Sequence, residues 1–278
     1  MTDLDALLAM HDEWMRIPPQ IPLPGVGYEW DGRLLRITGQ MRGMLRGPRD
    51  IGVEGDDLDR LIQRQVDYFG ARGEAFEWKV RGHDLPADLP NRLLAAGFVP
   101  ELQSAVLIGF SEQIAAEPVL PDGVQLRRVT AEADMRRIAE MQSAVWGGDL
   151  SWIGDYLWGL VVTTPDDIVV LVAEAAGEVV CAAFILCGGE GSYGALLGGS
   201  TLPAWQRRGI YRALVHARAQ IAVERGLELL QVDASPHSAP ILQKMGFHQV
   251  STSALYAWAP PQAQGSSNSQ SSNGGSGS

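Results

Sequence analysis

Cysteine is scarce, with only Cys181 and Cys187 among 278 residues. They stand six residues apart in one apolar, strand-like run. Both side chains then fall on one face but lie ~20 Å apart along an extended strand. They cannot bridge each other, and a reduced, cytoplasmic chain is expected. No Cys/His cluster of ligand spacing and no Gly-x-Ser-x-Gly elbow occurs, so neither a metal nor acyl-serine chemistry is expected. No run approaches a membrane span, and the N-terminus lacks a basic, apolar, small-residue signal pattern. Positive charge is also short: 22 Lys and Arg against 33 Asp and Glu leave a net charge of −11. That balance argues against nucleic acid and anionic membranes as partners, since both are bound by neutralising phosphates.

What is present suits a globular protein, with 46% hydrophobic and 20% charged residues. The length suits two domains of roughly 100–150 residues. The most informative stretch runs from Thr201 to Leu214. A Gly-punctuated apolar run, Tyr193 to Leu202, stops at Pro203, which has no N–H for a ladder. Gln206-Arg207-Arg208-Gly209 then opens a helical pattern carrying Leu214, Val215, Ala217, Ile221 and Ala222 on one face and stopping at Gly226. A strand feeding a helix through such a turn aims unpaired N–H groups outward at the helix's positive end, where a pyrophosphate can sit. Arg207, Arg208, Arg212 and Arg218 are either a basic cluster beside that site or an ordinary solvated helix face.

Gln206-Arg207-Arg208-Gly209-Ile210-Tyr211 resembles the acyl-CoA pyrophosphate loop of the GCN5-related N-acetyltransferases, the GNAT superfamily. That pattern has Gln or Arg, two variable residues, Gly, one variable residue, then Gly or Ala. Gln206 and Gly209 fit, and Tyr211 departs as a variant. Strands are expected over 124–129, 168–175, 179–187, 193–202 and 229–234, with helices over 132–145, 150–162 and 238–245 and a closing strand to Trp258. That β-α-α-β-β-β-α-β-α-β order is similar to the GNAT order, and Gly246-Phe247 resembles the pair that opens the family's last strand.

The first half echoes the second. Expected helix 57–71, strand 75–80 and helix 88–96 precede Gly97-Phe98, a pair 149 residues before Gly246-Phe247. The echo is either a second, degenerate GNAT-like half or a chance recurrence. Its helix follows Ile51-Gly52-Val53-Glu54-Gly55-Asp56-Asp57, whose carboxylates would repel a pyrophosphate. Ahead of it lie a helix over 3–16 and a hairpin turning at Asp31-Gly32, and strand 104–110 follows. The fold class expected is α/β with a mixed sheet: a degenerate GNAT-like domain over 1–112, a linker over 113–123 and an intact GNAT domain over 124–260. Residues 261–278, uncharged and rich in Ser, Gly and Asn, are expected to be a disordered tail.

The resemblance implies acetyl-CoA as co-substrate. Its pantetheine arm would run along Gly199, Ser200 and Thr201, and its pyrophosphate would lie on Gln206, Arg207, Arg208, Gly209, Ile210, Tyr211 and Arg212. Gly198-Gly199 is either a bulge that splays this strand from its neighbour or two glycines packed under a helix. Aligned on Gly246-Phe247, Ser235 stands where the family often has Asn, and Leu242 replaces the tyrosine that protonates the leaving thiolate. Ser235 either bonds the pantetheine or caps the following helix. As general base, Asp233 is either at the cleft or structurally paired; His237 is either a base or surface; Glu190 is a weaker candidate. Trp146, Trp152, Tyr156 and Trp158 either wall an acceptor pocket or form a core stripe. The function implied is acetyl transfer to an amine, on a small molecule or peptide, by a monomer or homodimer. The alternative is a catalytically inactive CoA-binding sensor or partner-binding protein.

Overall fold

A computed structural model describes residues 3–17, 20–187 and 193–261. The first half runs α1 (Leu4–Trp14), β1 (Gly27–Asp31), β2 (Leu34–Thr38), β3 (Gly43–Arg46), α2 (Gly55–Ala71), β4 (Phe76–Arg81), α3 (Leu89–Ala95), β5 (Val99–Pro100), β6 (Ser104–Phe110) and α4 (Ser111–Ile114). The second runs β7 (Val124–Val129), α5 (Glu132–Trp146), α6 (Ser151–Thr163), β8 (Ile168–Ala175), β9 (Glu178–Leu186), β10 (Tyr193–Thr201), α7 (Ile210–Glu224), β11 (Leu229–Ala234), α8 (Ala239–Lys244) and β12 (His248–Trp258), with a 3-10 turn at Pro203–Trp205. From β7 onward this is the expected order of ten elements. No helix among the described residues is long and apolar enough to cross a membrane.

The chain forms two compact units, Met1–Pro24 with Gln103–Ser253, and Gly25–Leu102 with Ala254–Ser278. These cuts differ from the boundaries at 112 and 124 read from the sequence. Helix α1 and strand β6 lie in the larger unit, and β12 begins in one unit and ends in the other. Contiguity along the chain cannot reveal this, because β6 takes partners from the far end of the sequence. It lies between β11 and β12, antiparallel to both.

In the larger unit the strand order is β12-β6-β11-β10-β9-β8-β7. Only β10 and β11 are parallel there, and α7 is the crossover between them. Alternation sorts each strand's side chains onto two faces. On one face Leu107, Leu230 and Val232 pack with Val215, Ala219 and Ala222 of α7 and Leu242 of α8. On the other, Val170, Val172, Ala182 and Phe184 pack with Met135, Ile138 and Met141 of α5 and Leu157 and Leu160 of α6. The three-residue spacing in α5 is what places its side chains on one stripe. Burial of a side chain such as Leu242, 0% exposed, contributes about 1.5–3 kcal/mol, so Leu242→Asp should unfold this layer. Gly147 (φ 78°) ends α5 and Gly226 (φ 73°) follows the end of α7, both left-handed positions that favour glycine.

The smaller unit orders β1-β2-β3-β4 and the end of β12, with β5 also on β12. Asp31 pairs with Leu34, so the hairpin loop is Gly32-Arg33, one residue later than the Asp31-Gly32 turn expected. Parallel β3 and β4 are joined by α2, whose Leu58, Ile62 and Phe69 pack on Phe76, Trp78 and Val80. The Phe69 and Phe76 rings stack with centroids 4.2 Å apart. Strand, helix, parallel strand, short helix and Gly-Phe thus recur in both units, so the echo in the sequence is a repeated structure.

Candidate functional site

Strands β10 and β11 share three residue pairs, ending at Ala195 and Gln231. Beyond that point no strand among the described residues pairs with β10 on its β11 side, and its ladder groups line an open slot. The separation starts three residues before the glycines, not after them as the bulge argument implied. The bulge itself is present. Leu197 pairs with Phe184 and Ser200 with Ala182, so Gly198 and Gly199 together oppose Ala183. Gly198 is left-handed (φ 65°), and a Cβ there would lie 2.5 Å from Phe184 Cε1. A Cβ on Gly199 would lie 2.8 Å from Tyr211 Cε2, so this glycine is also packed under α7. Both readings of the pair therefore hold at once.

The slot wall is held from both sides. Gln142 Nε2 donates to Gly198 O (2.9 Å) and Trp146 Nε1 to Ser200 Oγ (3.0 Å). Thr201 Oγ1 donates to Cys181 Sγ (3.0 Å), and burial pushes that thiol up to about 11. Ser200 and Thr201 are buried, so past the bulge β10 offers its backbone rather than side chains.

The turn after β10 is closed by Gln206, whose Nε2 donates to Thr201 O (3.1 Å). Arg207 (φ 62°) and Gly209 (φ 84°) are both left-handed. For an arginine that conformation costs about 1–2 kcal/mol, strain of the kind found at ligand clamps. Gly209 is the N-cap of α7 and supplies no capping side chain. The first helical bond runs from Ala213 N to Gly209 O (3.0 Å), which leaves the N–H groups of Ile210, Tyr211 and Arg212 without helical partners. Ile210's side chain is buried, so only its backbone is available. Arg207, Arg208 and Arg212 are exposed, with the Arg208 guanidinium 4.8 Å above the Trp205 ring. Backbone donors at a positive helix end, ringed by three exposed cations, fit a diphosphate. Arg218 does not belong to this cluster. It is 2% exposed, and burial lowers its pKa, because its guanidinium turns inward onto backbone carbonyls.

The corresponding place in the smaller unit is filled. Beyond β3, Leu85 N donates to Arg49 O (2.7 Å) and Ile51 N to Leu85 O (3.3 Å), a parallel bridge at Asp50. The unit's own loop occupies the edge that the larger unit leaves open. Helix α2 then begins with Asp56 and Asp57 in its first turn, so carboxylates already complement its positive end.

Asp233 is half-buried, on the face of β11 shared with Leu229 and Gln231. Its Oδ1 accepts from Gln231 Nε2 (2.7 Å) and its Oδ2 from Ser253 Oγ (3.2 Å). The carboxylate is hydrogen-bonded within the fold, as the pairing reading expects. His237 is exposed, at the turn before α8. Ser235 and Ser238 hydroxyls lie 3.1 Å apart, and Ser235 O accepts from Ala239 N (2.9 Å), so Ser235 closes the turn that leads into α8, whose N-cap is Ser238. Trp146 is 61% exposed at the end of α5 and Trp152 38%, while Tyr156 and Trp158 pack on the α5–α6 core. Glu190 lies outside the described residues.

Three contributors escaped the sequence reading. Gln142 sits mid-helix, where it reads as an ordinary polar position, and the sequence groups Arg218 with the loop arginines rather than with the core. Helix α1 packs on the Asp233-side face, with Leu7 against Ile108, Tyr193 and Leu229. Tyr193 Oη donates to Trp14 O (2.9 Å), and His11, Trp14 and Met15 line a small cavity with Gln231.

Residues 119–233 match the family model described as an acetyltransferase (GNAT) domain. Among solved structures, a GCN5-related N-acetyltransferase from Kribbella flavida is 15% identical, with 91% of this chain and 93% of that one covered and a TM-score of 0.63. A tandem GNAT protein from the clavulanic acid biosynthesis pathway is 12% identical over 92% and 93%, with a TM-score of 0.60. A GCN5-related N-acetyltransferase from Sphaerobacter thermophilus is 16% identical over 84% and 82%, also at 0.60. No curated protein matches the sequence.

Proposed function

We propose that this chain, whose residues 119–233 match a GNAT acetyltransferase domain and whose fold is that of solved GNAT proteins, a tandem one among them, transfers an acyl group, most simply acetyl, from acyl-CoA to an amine. The observation that carries this reading is the slot between β10 and β11, opening directly above the uncapped α7 terminus. Acetyl-CoA supplies the activated acyl group as a thioester. The N–H groups of Ile210, Tyr211 and Arg212, with Arg207 and Arg208, would hold its diphosphate. The backbone from Gly198 to Thr201 would pair with its pantetheine arm as an added strand. Asp233, oriented by Gln231 and Ser253, would accept the proton an ammonium must lose before attack. The acceptor is an amine on a small molecule or peptide; the acidic composition favours one that is cationic. The reaction takes place in the cytoplasm.

A CoA-binding sensor is the second reading. It is favoured by Leu242, fully buried in the core where the family's thiolate-protonating tyrosine is expected. Calorimetric titration of CoA, followed by thiol release from acetyl-CoA with a panel of amines, separates the two. Binding with turnover supports the transferase, binding without turnover supports the sensor, and no binding removes both.

A further inference from the structure

Arg218 lies in the middle of α7 and, among the described residues, heads the fully buried side chains by size. Its Nε donates to Leu214 O on its own helix (3.0 Å). Its Nη1 reaches Phe184 O (3.2 Å) and Leu197 O (3.4 Å, long for a hydrogen bond). Leu197 and Phe184 are register partners, the last pair before Gly198 and Gly199 step out of the ladder. The ionisable neighbours that act on it are the Tyr211 and Cys181 side chains, both neutral at pH 7, and no carboxylate among the described residues is one of them. A guanidinium buried without a counter-charge is costly, and an aliphatic side chain would fill the same volume at lower cost. From the opposite face of the sheet, Gln142 holds the next carbonyl, Gly198 O. Consecutive carbonyls of the bulge are thus gripped from α7 on one side and α5 on the other.

We propose that Arg218 is a positioning residue: it fixes β10 in its bulged path, apart from β11, so that the backbone from Gly198 to Thr201 is set for the pantetheine arm before any ligand arrives. The ligand half of this proposal rests on the acyl-CoA reading; the backbone half does not. Without the guanidinium, the Leu197 and Phe184 carbonyls lose the donor that ties them to α7. The bulge can then relax toward regular pairing. Lysine offers one ammonium where arginine offers a planar fork, so it cannot hold both strands and its own helix together.

Arg218→Met and Arg218→Lys in the full chain test this with two measurements. The first is amide hydrogen exchange over residues 196–201. The second is calorimetric affinity for CoA and for adenosine 3′-phosphate 5′-diphosphate, which carries the nucleotide end without the pantetheine. Exchange at Gly198 and Gly199 should rise about tenfold or more in both variants while β8 stays protected. CoA should weaken about tenfold, the loss expected when a preorganised site becomes mobile, with the nucleotide fragment held within about twofold. Unchanged exchange at the bulge would overturn the proposal, as would equal weakening of both ligands, which marks general support of the fold. Should Arg218→Met fail to fold, Arg218→Lys decides by the same criteria. Wild-type protein that binds neither ligand would remove the acyl-CoA reading and leave the exchange measurement to judge the clamp.

Discussion

Gln231 and Asp233 share one face of β11, and a 2.7 Å hydrogen bond from Gln231 Nε2 to Asp233 Oδ1 joins them. With Ser253 on the other oxygen, the carboxylate is held at a fixed angle beside the slot. A carboxylate oxygen has more than one acceptor site, so hydrogen bonding that orients a carboxylate does not by itself bar it from acting as a base. Asp233→Asn keeps the size and most of this bonding. Turnover should fall by ~10²–10⁴-fold, with CoA affinity and melting temperature nearly unchanged. A variant that melts early but keeps full turnover per folded molecule would assign the carboxylate to support alone.

Gly209→Val should cripple CoA binding. At φ 84° the position is left-handed, and a β-branched residue there is strained whatever space surrounds it. The helix start would turn away and take its N–H groups with it. Arg207→Ala is the milder counterpart: both residues carry the same left-handed penalty, so stability should hold. CoA should then weaken by ~1–3 kcal/mol, the value of a charge-assisted contact. Calorimetry on both variants checks this, and normal affinity in Gly209→Val would remove the loop from the site.

One CoA should bind per chain. Leu85 already occupies the edge beyond β3, and Asp56 and Asp57 repel a phosphate from α2. A titration that fits two equivalent sites would contradict this.

Acid should loosen the first turn of α5. Arg127 reaches Asp134 (2.8 Å) and Glu174 (2.9 Å), and Arg137 reaches the same two carboxylates. Hydrogen bonding from Arg127, the largest cause, holds both carboxyls below their usual range. A lowered folded-state pKa means stability that is fully present above about pH 4 and lost as pH falls further. Asp134→Asn should therefore lower the urea midpoint at pH 7, with the gap to wild type narrowing steadily as pH falls below about 4. A gap that does not narrow at all on acidification would show a packing defect instead.

Most elements could be read from the sequence because their signals are local. Pro203 ends β10, Gly226 and Gly246 follow helices, and alternation separates Leu230 and Val232 from Gln231 and Asp233. The turn into α7 was legible for the same reason, since the left-handed backbone at Gly209 follows from residue type. Contacts set by tertiary packing were not legible. Nothing in a mid-helix arginine announces that it faces inward, so Arg218 was placed with the surface cations. Nothing near Gln142 points to a carbonyl that lies 56 residues away. The hairpin slipped by one residue because Asp31 and Gly32 both favour turns, and pairing with Leu34 decides between them.

The position of β6 sets when this protein can be finished. Gln103, just ahead of it, donates to Thr252 across 149 residues of sequence. During synthesis β6 emerges early, and both strands that will flank it are among the last to be made. Until then it has two bare edges, the state most open to wrong pairing. Contacts this distant also close slowly. The larger unit therefore cannot be released as a fragment beginning at residue 119, where the matched domain begins; such a fragment would lack β6, the strand that joins β11 to β12.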